Sequence, residues 1–163
     1  METLTAHRIE VLGDIRAFPG SRRLPHFNRE NLEHELPQRG IEYLWMPDLG
    51  GRRKKQLERS PNLGLRNASF RNYADYMMTE PFHAAAAELV RRAGEQRVAI
   101  MCAERVYFHC HRMLVSDYLL AHGHEVLHMD GAGAPRPHKL TAEARREGDN
   151  VIYGGDVLPG LEA

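Results

Sequence analysis

Short apolar runs broken by glycine, proline and charge organise the first 130 residues. "IEVLGDI" (9–15), "IEYLWM" (41–46), "RVAIMC" (97–102) and "HEVLHM" (124–129) are brief, apolar and partly β-branched, the pattern of buried strands. Between them the spacing turns helical. Leu32 and Leu36 stand four apart behind Asn28, a residue suited to capping a helix. Phe70, Tyr73 and Met77 share one face of "FRNYADYMM". Pro81 suits the first turn of "PFHAAAAELVRRAG", which Gly94 can stop. Leu114, Tyr118 and Ala121 line one side of "HCHRMLVSDYLLAHG", which ends at Gly123.

Strands alternating with helices predict an α/β domain over residues 1–130: a mainly parallel sheet of about four strands with helices on both faces. Beyond Asp130 the pattern decays, and 131–163 is expected to be an irregular or mobile tail. Residues 47–68, "PDLGGRRKKQLERSPNLGLRNA", read as a long basic loop, and loops of that length are usually functional or disordered.

Composition narrows the class without naming a reaction. With 42% apolar and 27% charged residues, the 163-residue chain has the balance of an ordinary globular domain. It has no apolar run near the roughly 18–20 residues that span a bilayer, so no membrane association is expected. The polar start "METLTAHRIE" and a cysteine count of 2, too few for a disulfide framework, point to a cytoplasmic protein. The net charge of zero conceals an asymmetry. Residues 16–71 hold 12 Lys/Arg against 6 Asp/Glu, leaving 10 against 16 elsewhere. A basic segment of this kind attracts anions, either a small molecule or a nucleic acid, or it is simply a solvated loop surface.

In parallel α/β sheets, ligands sit outside the carboxyl ends of the strands, where Asp14, Asp48, Cys102 and Asp130 fall. The densest chemistry is "AIMCAERVYFHCHR" (99–112), with both cysteines, two histidines, a glutamate and two arginines. A zinc site is disfavoured because the Cys/His spacing is wrong, and neighbours such as Cys110 and His111 point about 100° apart if helical. No metal site is assigned, and no cofactor can be named. Cys102 closes a strand ahead of a helix amino terminus, a setting that favours a thiolate, with Glu104 able to move a proton; the competing reading is a buried structural cysteine. The same turn, with Arg112, suits an anion. Asp14 and Arg16 follow the first strand as acid and anion ligand, or as partners of each other. Gly50 and Gly51 let backbone approach a ligand ahead of four cations, or form an exposed turn.

These separated motifs resemble the domain of unknown function 488 family over roughly residues 8–130. The resemblance rests on Asp14 and Arg16; Pro19, Ser21 and Arg22; Leu49 to Gly51; Cys102 to Glu104; and Cys110, His111 and Arg112. Members of that family begin with a strand reading like Thr-Ile-Gly-His-Ser and a helix. By that comparison this chain lacks the first strand, with its His and Ser. The family name assigns no activity.

The resulting expectation is an enzyme acting on a phosphorylated or nucleotide-like anion. Cys102, Glu104 and Asp14 would be catalytic, and Arg16, Ser21, Arg22, Gly50, Gly51, Cys110, His111 and Arg112 would bind substrate. The alternative is a nucleic-acid-binding module that uses the basic loops of 16–71, with Phe18, Phe27 and Trp45 for stacking. A weaker alternative is a metal-dependent enzyme.

Overall fold

The computed structural model describes residues 1–155. In chain order it contains α1 (Glu2–Ala6), β1 (Val11–Asp14), α2 (Arg29–Glu35), β2 (Glu42–Trp45), α3 (Ala68–Tyr76), α4 (Glu80–Glu95), β3 (Val98–Met101), α5 (Arg112–Ala121), β4 (Leu127–His128), β5 (Arg136–Pro137), β6 (Ala144–Glu147) and β7 (Asn150–Tyr153). No described helix is long and apolar enough to cross a membrane.

Three of the expected strands form one parallel sheet in the order β2-β1-β3. All four residues of the central β1 are buried. Register sorts the strand side chains by period two. Leu12 is aligned with Tyr43 and Ala99, and these pack with Leu32 and Leu36 at the end of α2. One residue on, Gly13 is aligned with Leu44 and Ile100, which belong to the larger cluster beneath α3, α4 and α5. There Phe82, Ala86 and Leu89 line the buried stripe of α4, and Phe82 meets Tyr73 and Tyr118 edge-on at 6.2 and 5.1 Å.

Helix ends follow local chemistry with two adjustments. Asn67 caps α3, its side chain accepting from the backbone N–H of Ser69 and Phe70. Asn28 precedes α2 but makes no side-chain cap; its Oδ1 accepts instead from the N–H of Ser21. Helix α4 also continues past Gly94 to Glu95.

The fourth expected strand does not join the sheet. Only Leu127–His128 is extended, and it pairs antiparallel with Arg136–Pro137 in a separate ladder. The cause is polar. The Val126 carbonyl accepts from the His138 N–H at 2.8 Å, and the His128 ring hydrogen-bonds the His138 ring at 2.8 Å. This segment is therefore held by the chain that follows it.

The expected irregular tail is also structured as far as Tyr153; residues 156–163 lie outside the described region. Strands β6 and β7 form an antiparallel hairpin across Gly148 and Asp149. Gly148 supplies the positive φ of 62° that the first position of such a two-residue turn demands. Ala144, Val151 and Tyr153 are buried in the main core. The basic loop closes onto this hairpin. Asn62, fully buried, accepts from the Tyr153 N–H at 2.9 Å and donates to Asp75 at 2.7 Å.

Because Tyr153 is fully buried and its hydroxyl donates to Asp117 at 2.8 Å, the hairpin is part of the folding unit. Tyr153→Ala is expected to cost about 3–5 kcal/mol, read as a lowered midpoint in urea denaturation. An unchanged midpoint would make the hairpin an appendage.

Candidate active site

The carboxyl ends of β1 and β3 run side by side, joined by the Ile15 N–H donating to the Met101 carbonyl at 3.0 Å. Past these ends, three loops converge. Gly50 is pressed against the 17–18 turn: an added Cβ would stand 2.9 Å from the Cα of Ala17 and 2.8 Å from the Pro47 carbonyl oxygen. At Gly51 it would lie 2.8 Å from His111 Nδ1. Both positions require glycine because other segments pass too close for a side chain. His111 in turn donates through Nε2 to the Ile15 carbonyl at 2.9 Å. An acceptor-only carbonyl fixes the proton on Nε2. Burial lowers the His111 pKa to about 4, so the ring is neutral at physiological pH.

Asp14 and Arg16 are partners of each other. The Arg16 guanidinium donates to Asp14 Oδ1 at 2.8 Å and Oδ2 at 2.6 Å, and the Tyr43 hydroxyl adds a 2.5 Å bond to Oδ2. Arg16 also reaches the Phe27 carbonyl at 2.8 Å, while the Trp45 indole donates to the Arg16 carbonyl at 2.9 Å. Asp14 is 0% and Arg16 6% exposed, so the pair is an internal tie between β1, β2 and the 18–28 loop. Burial, followed by the Asp14 bond, pushes the Tyr43 phenol well up.

Ser21 and Arg22 belong to that 18–28 loop. Ser21 Oγ accepts from the Leu24 N–H at 3.0 Å, and Arg22 is exposed. Together with Phe18 (74% exposed), Asn28 and Arg29 they rim an open groove of about 710 Å³. Arg29 lies over the Trp45 ring at 4.5 Å. Apart from that contact with β2, the polar contacts of these residues lie within this loop and α2.

The two cysteines meet. Helix α5 begins only at Arg112, and a single 3-10 turn, Tyr107–His109, folds the preceding loop back. Cys110 then sits in extended backbone, and its sulfur comes to 3.0 Å from that of Cys102. Arg112 donates to Cys110 Sγ through Nε at 3.2 Å and through its backbone N–H at 3.4 Å. Its Nη2 binds the Arg105 carbonyl at 3.1 Å and the Glu104 carbonyl, clamping the loop between the cysteines. The Glu104 N–H points at Cys102 Sγ from 3.3 Å, while Glu104 itself is exposed.

One proton is shared within this pair. The Cys102 S–H donating to Cys110, with help from Arg112, lowers the Cys110 pKa to about 6; the same bond and burial push Cys102 up. The thiolate is therefore favoured on Cys110 rather than on Cys102, whereas the sequence alone suggested a lowered Cys102. Cys110 is 6% exposed and Cys102, which packs against the edge of the main core, is half-buried, so Cys102 is the more accessible residue of the two.

A second cluster went unread in the sequence. Asp117, 0% exposed on α5, accepts from His138 Nε2 at 2.8 Å, from the Thr141 N–H at 3.0 Å and from Tyr153. His138 Nδ1 meets His128 Nε2, and the His128 ring stacks on Tyr107 with centroids 3.5 Å apart. His138 thus donates through Nε2 to Asp117 and keeps Nδ1 for the His128 ring. The only hint was an aspartate inside the apolar run "LVSDYLL". Among the described residues, no group of three His, Cys, Asp or Glu is placed to hold a metal ion.

No curated protein and no solved structure matches the chain. The family match stops short of β4–β7, and so of His128 and His138, but it includes β1–β3 and the whole cysteine loop. Residues 1–119 match the family model described as domain of unknown function DUF488, and the chain belongs to that family.

Proposed function

We propose that the protein is a thiol-dependent enzyme in which Cys102 attacks the substrate and Cys110, held by Arg112, stores the negative charge. The observation that carries this reading is the 3.0 Å sulfur–sulfur contact with a guanidinium nitrogen 3.2 Å from Cys110. A thiolate is the nucleophile, and its supply at neutral pH depends on nearby cations and hydrogen-bond donors. Moving one proton from Cys102 to Cys110 across the contact transfers the charge to the more accessible sulfur. The exposed carboxylate of Glu104, two residues on, is available to take or return a proton to the bound substrate.

The substrate in this reading is a phosphorylated or nucleotide-like anion. Support comes from the basic 16–71 segment and from Arg105, an exposed cation inside the cysteine loop. Asp14 and Arg16 act here as positioning residues, since each is occupied by the other. Gly50, Gly51 and His111 serve by fixing the start of α5. The proposal sets the enzyme in the cytoplasm, where thiols stay reduced.

Alkylation of the native protein across pH, with peptide mapping, tests the thiol role. Because the pair's first proton leaves at a lowered pKa, Cys102 should be unreactive well below pH 6 and react at a rate that rises and levels above it. Arg112→Met should move that midpoint upward by about one to two pH units, as loss of a charge-assisted bond requires. Inorganic phosphate or a nucleotide should slow the reaction. Labelling of Cys102 only after denaturation would remove it from the chemistry.

One observation favours the nucleic-acid reading: Phe18, 74% exposed, stands beside Arg22 in the 710 Å³ groove. If that groove tracks a single strand, affinity for an oligonucleotide should fall steeply between low and moderate salt, and Phe18→Ala should weaken it by about 1–3 kcal/mol. Binding that is absent, or indifferent to both changes, would dismiss it.

A further inference from the structure

We propose that Cys102 and Cys110 form a redox-active dithiol that reduces small, carboxylate-bearing disulfides and closes a bond between the two sulfurs in doing so. The proposal rests on the reading of Cys102 as the accessible nucleophile and adds a substrate class to that site.

Three features of the loop support it. The sulfurs are already in contact at 3.0 Å, so forming a bond of about 2.05 Å requires them to approach by about 1 Å. The loop that brings them together is held at its base by Arg112, which grips the Glu104 and Arg105 carbonyls, so the approach does not depend on a chance loop closure. Accessibility is also asymmetric. Cys102 is half-buried beside exposed Ala103, Glu104 and Arg105, whereas Cys110 is 6% exposed. An external disulfide therefore meets Cys102 first, and Cys110 is placed to attack from behind.

The steps balance. The Cys102 proton passes to Cys110, and the Cys102 thiolate attacks one sulfur of the small disulfide. The external sulfur–sulfur bond breaks, and one half leaves as a thiolate that takes up a proton from water. Cys110 then loses its proton to solvent, with Arg112 Nε and the Arg112 backbone N–H stabilising the resulting thiolate at 3.2 and 3.4 Å. It attacks Cys102 Sγ, the mixed disulfide breaks, and the second half leaves as a thiolate that is protonated in turn. Two electrons move from the two protein thiols to the small disulfide, which is reduced to two thiols. Exposed Arg105 offers a partner for the carboxylates of such a substrate.

The test is incubation of the full chain with glutathione disulfide, quenched in acid and read by intact mass and peptide mapping. The expected product is a chain lighter by two hydrogens, with residues 102 and 110 cross-linked and both halves of the disulfide released as free thiol. Cys110→Ser should stop at a stable glutathione adduct on Cys102. Should that variant fail to fold, the ratio of released thiol to bound glutathione in the natural chain makes the same distinction. A natural chain that accumulates the adduct without the cross-link overturns the proposal and leaves the thiol reading intact. So does one in which iodoacetamide labels Cys102 while glutathione disulfide does nothing. Failure of both reagents to reach Cys102 overturns both.

Discussion

The hydrogen bond from His111 to the Ile15 carbonyl is the constraint on which the site depends. It ties the residue just before α5 to the residue just after β1, elements almost a hundred positions apart in sequence. Cys110 and Arg112 flank His111, so fixing that ring fixes both of them. The bond needs a proton on Nε2, and burial separately keeps the ring neutral by lowering its pKa to about 4. It also needs room, which Gly51 provides. A side chain there would collide with the ring, displacing His111 and the sulfur beside it. The Leu-Gly-Gly turn thus makes room for the ring beside the cysteines from a different part of the chain.

Charge is distributed unevenly around this frame. The Asp14–Arg16 pair is closed upon itself, with both carboxylate oxygens engaged and a tyrosine added. Buried pairs of this kind contribute geometry more than stability, and here the geometry joins β1, β2 and the 18–28 loop. Arg112 differs in what it faces. Its guanidinium binds two backbone carbonyls through Nη2 and directs its Nε–H at the Cys110 sulfur, whose pKa it helps to lower. The positive charge there favours the thiolate form of Cys110 over its thiol.

The first three strands were legible because runs such as "VAIM" and "VL" are short, apolar and flanked by breakers, and burial in a parallel sheet demands that character. "HEVLHM" resembles them, but its His128 is captured by His138, and His138 by Asp117; a polar chain of three side chains outweighed a weak strand propensity. The hairpin was missed although "VIY" and the Gly148 turn were in view, since a polar β6 gave no alternation to pair with it. Within the site, the residues were found but their partnership was not. Reading a helix from His109 onward would send Cys110 and His111 in different directions. The helix begins three residues later, and the 3-10 turn before it brings Cys110 back to Cys102. Helix starts are poorly marked where no capping side chain exists, and His111 makes no cap bond.

The segment beyond the family match reaches the same loop from the other side. Tyr107 lies between the two cysteines in sequence; its carbonyl accepts from the Cys110 N–H at 3.2 Å, and its ring is stacked on His128. His128 is held by His138, and His138 by an aspartate with no exposure. Two hydrogen bonds and one stacking contact therefore lead from the core of α5 out to the cysteine loop, through residues 128 and 138 that follow the matched region. Stacking restricts the Tyr107 ring, and with it the loop whose shape determines how the sulfurs meet. The sulfur pair belongs to the family-matched segment, whereas part of the support that fixes its geometry is supplied by β4–β7. Properties of the thiol that depend on loop position can consequently change with the carboxyl-terminal segment while Cys102, Cys110 and Arg112 stay the same.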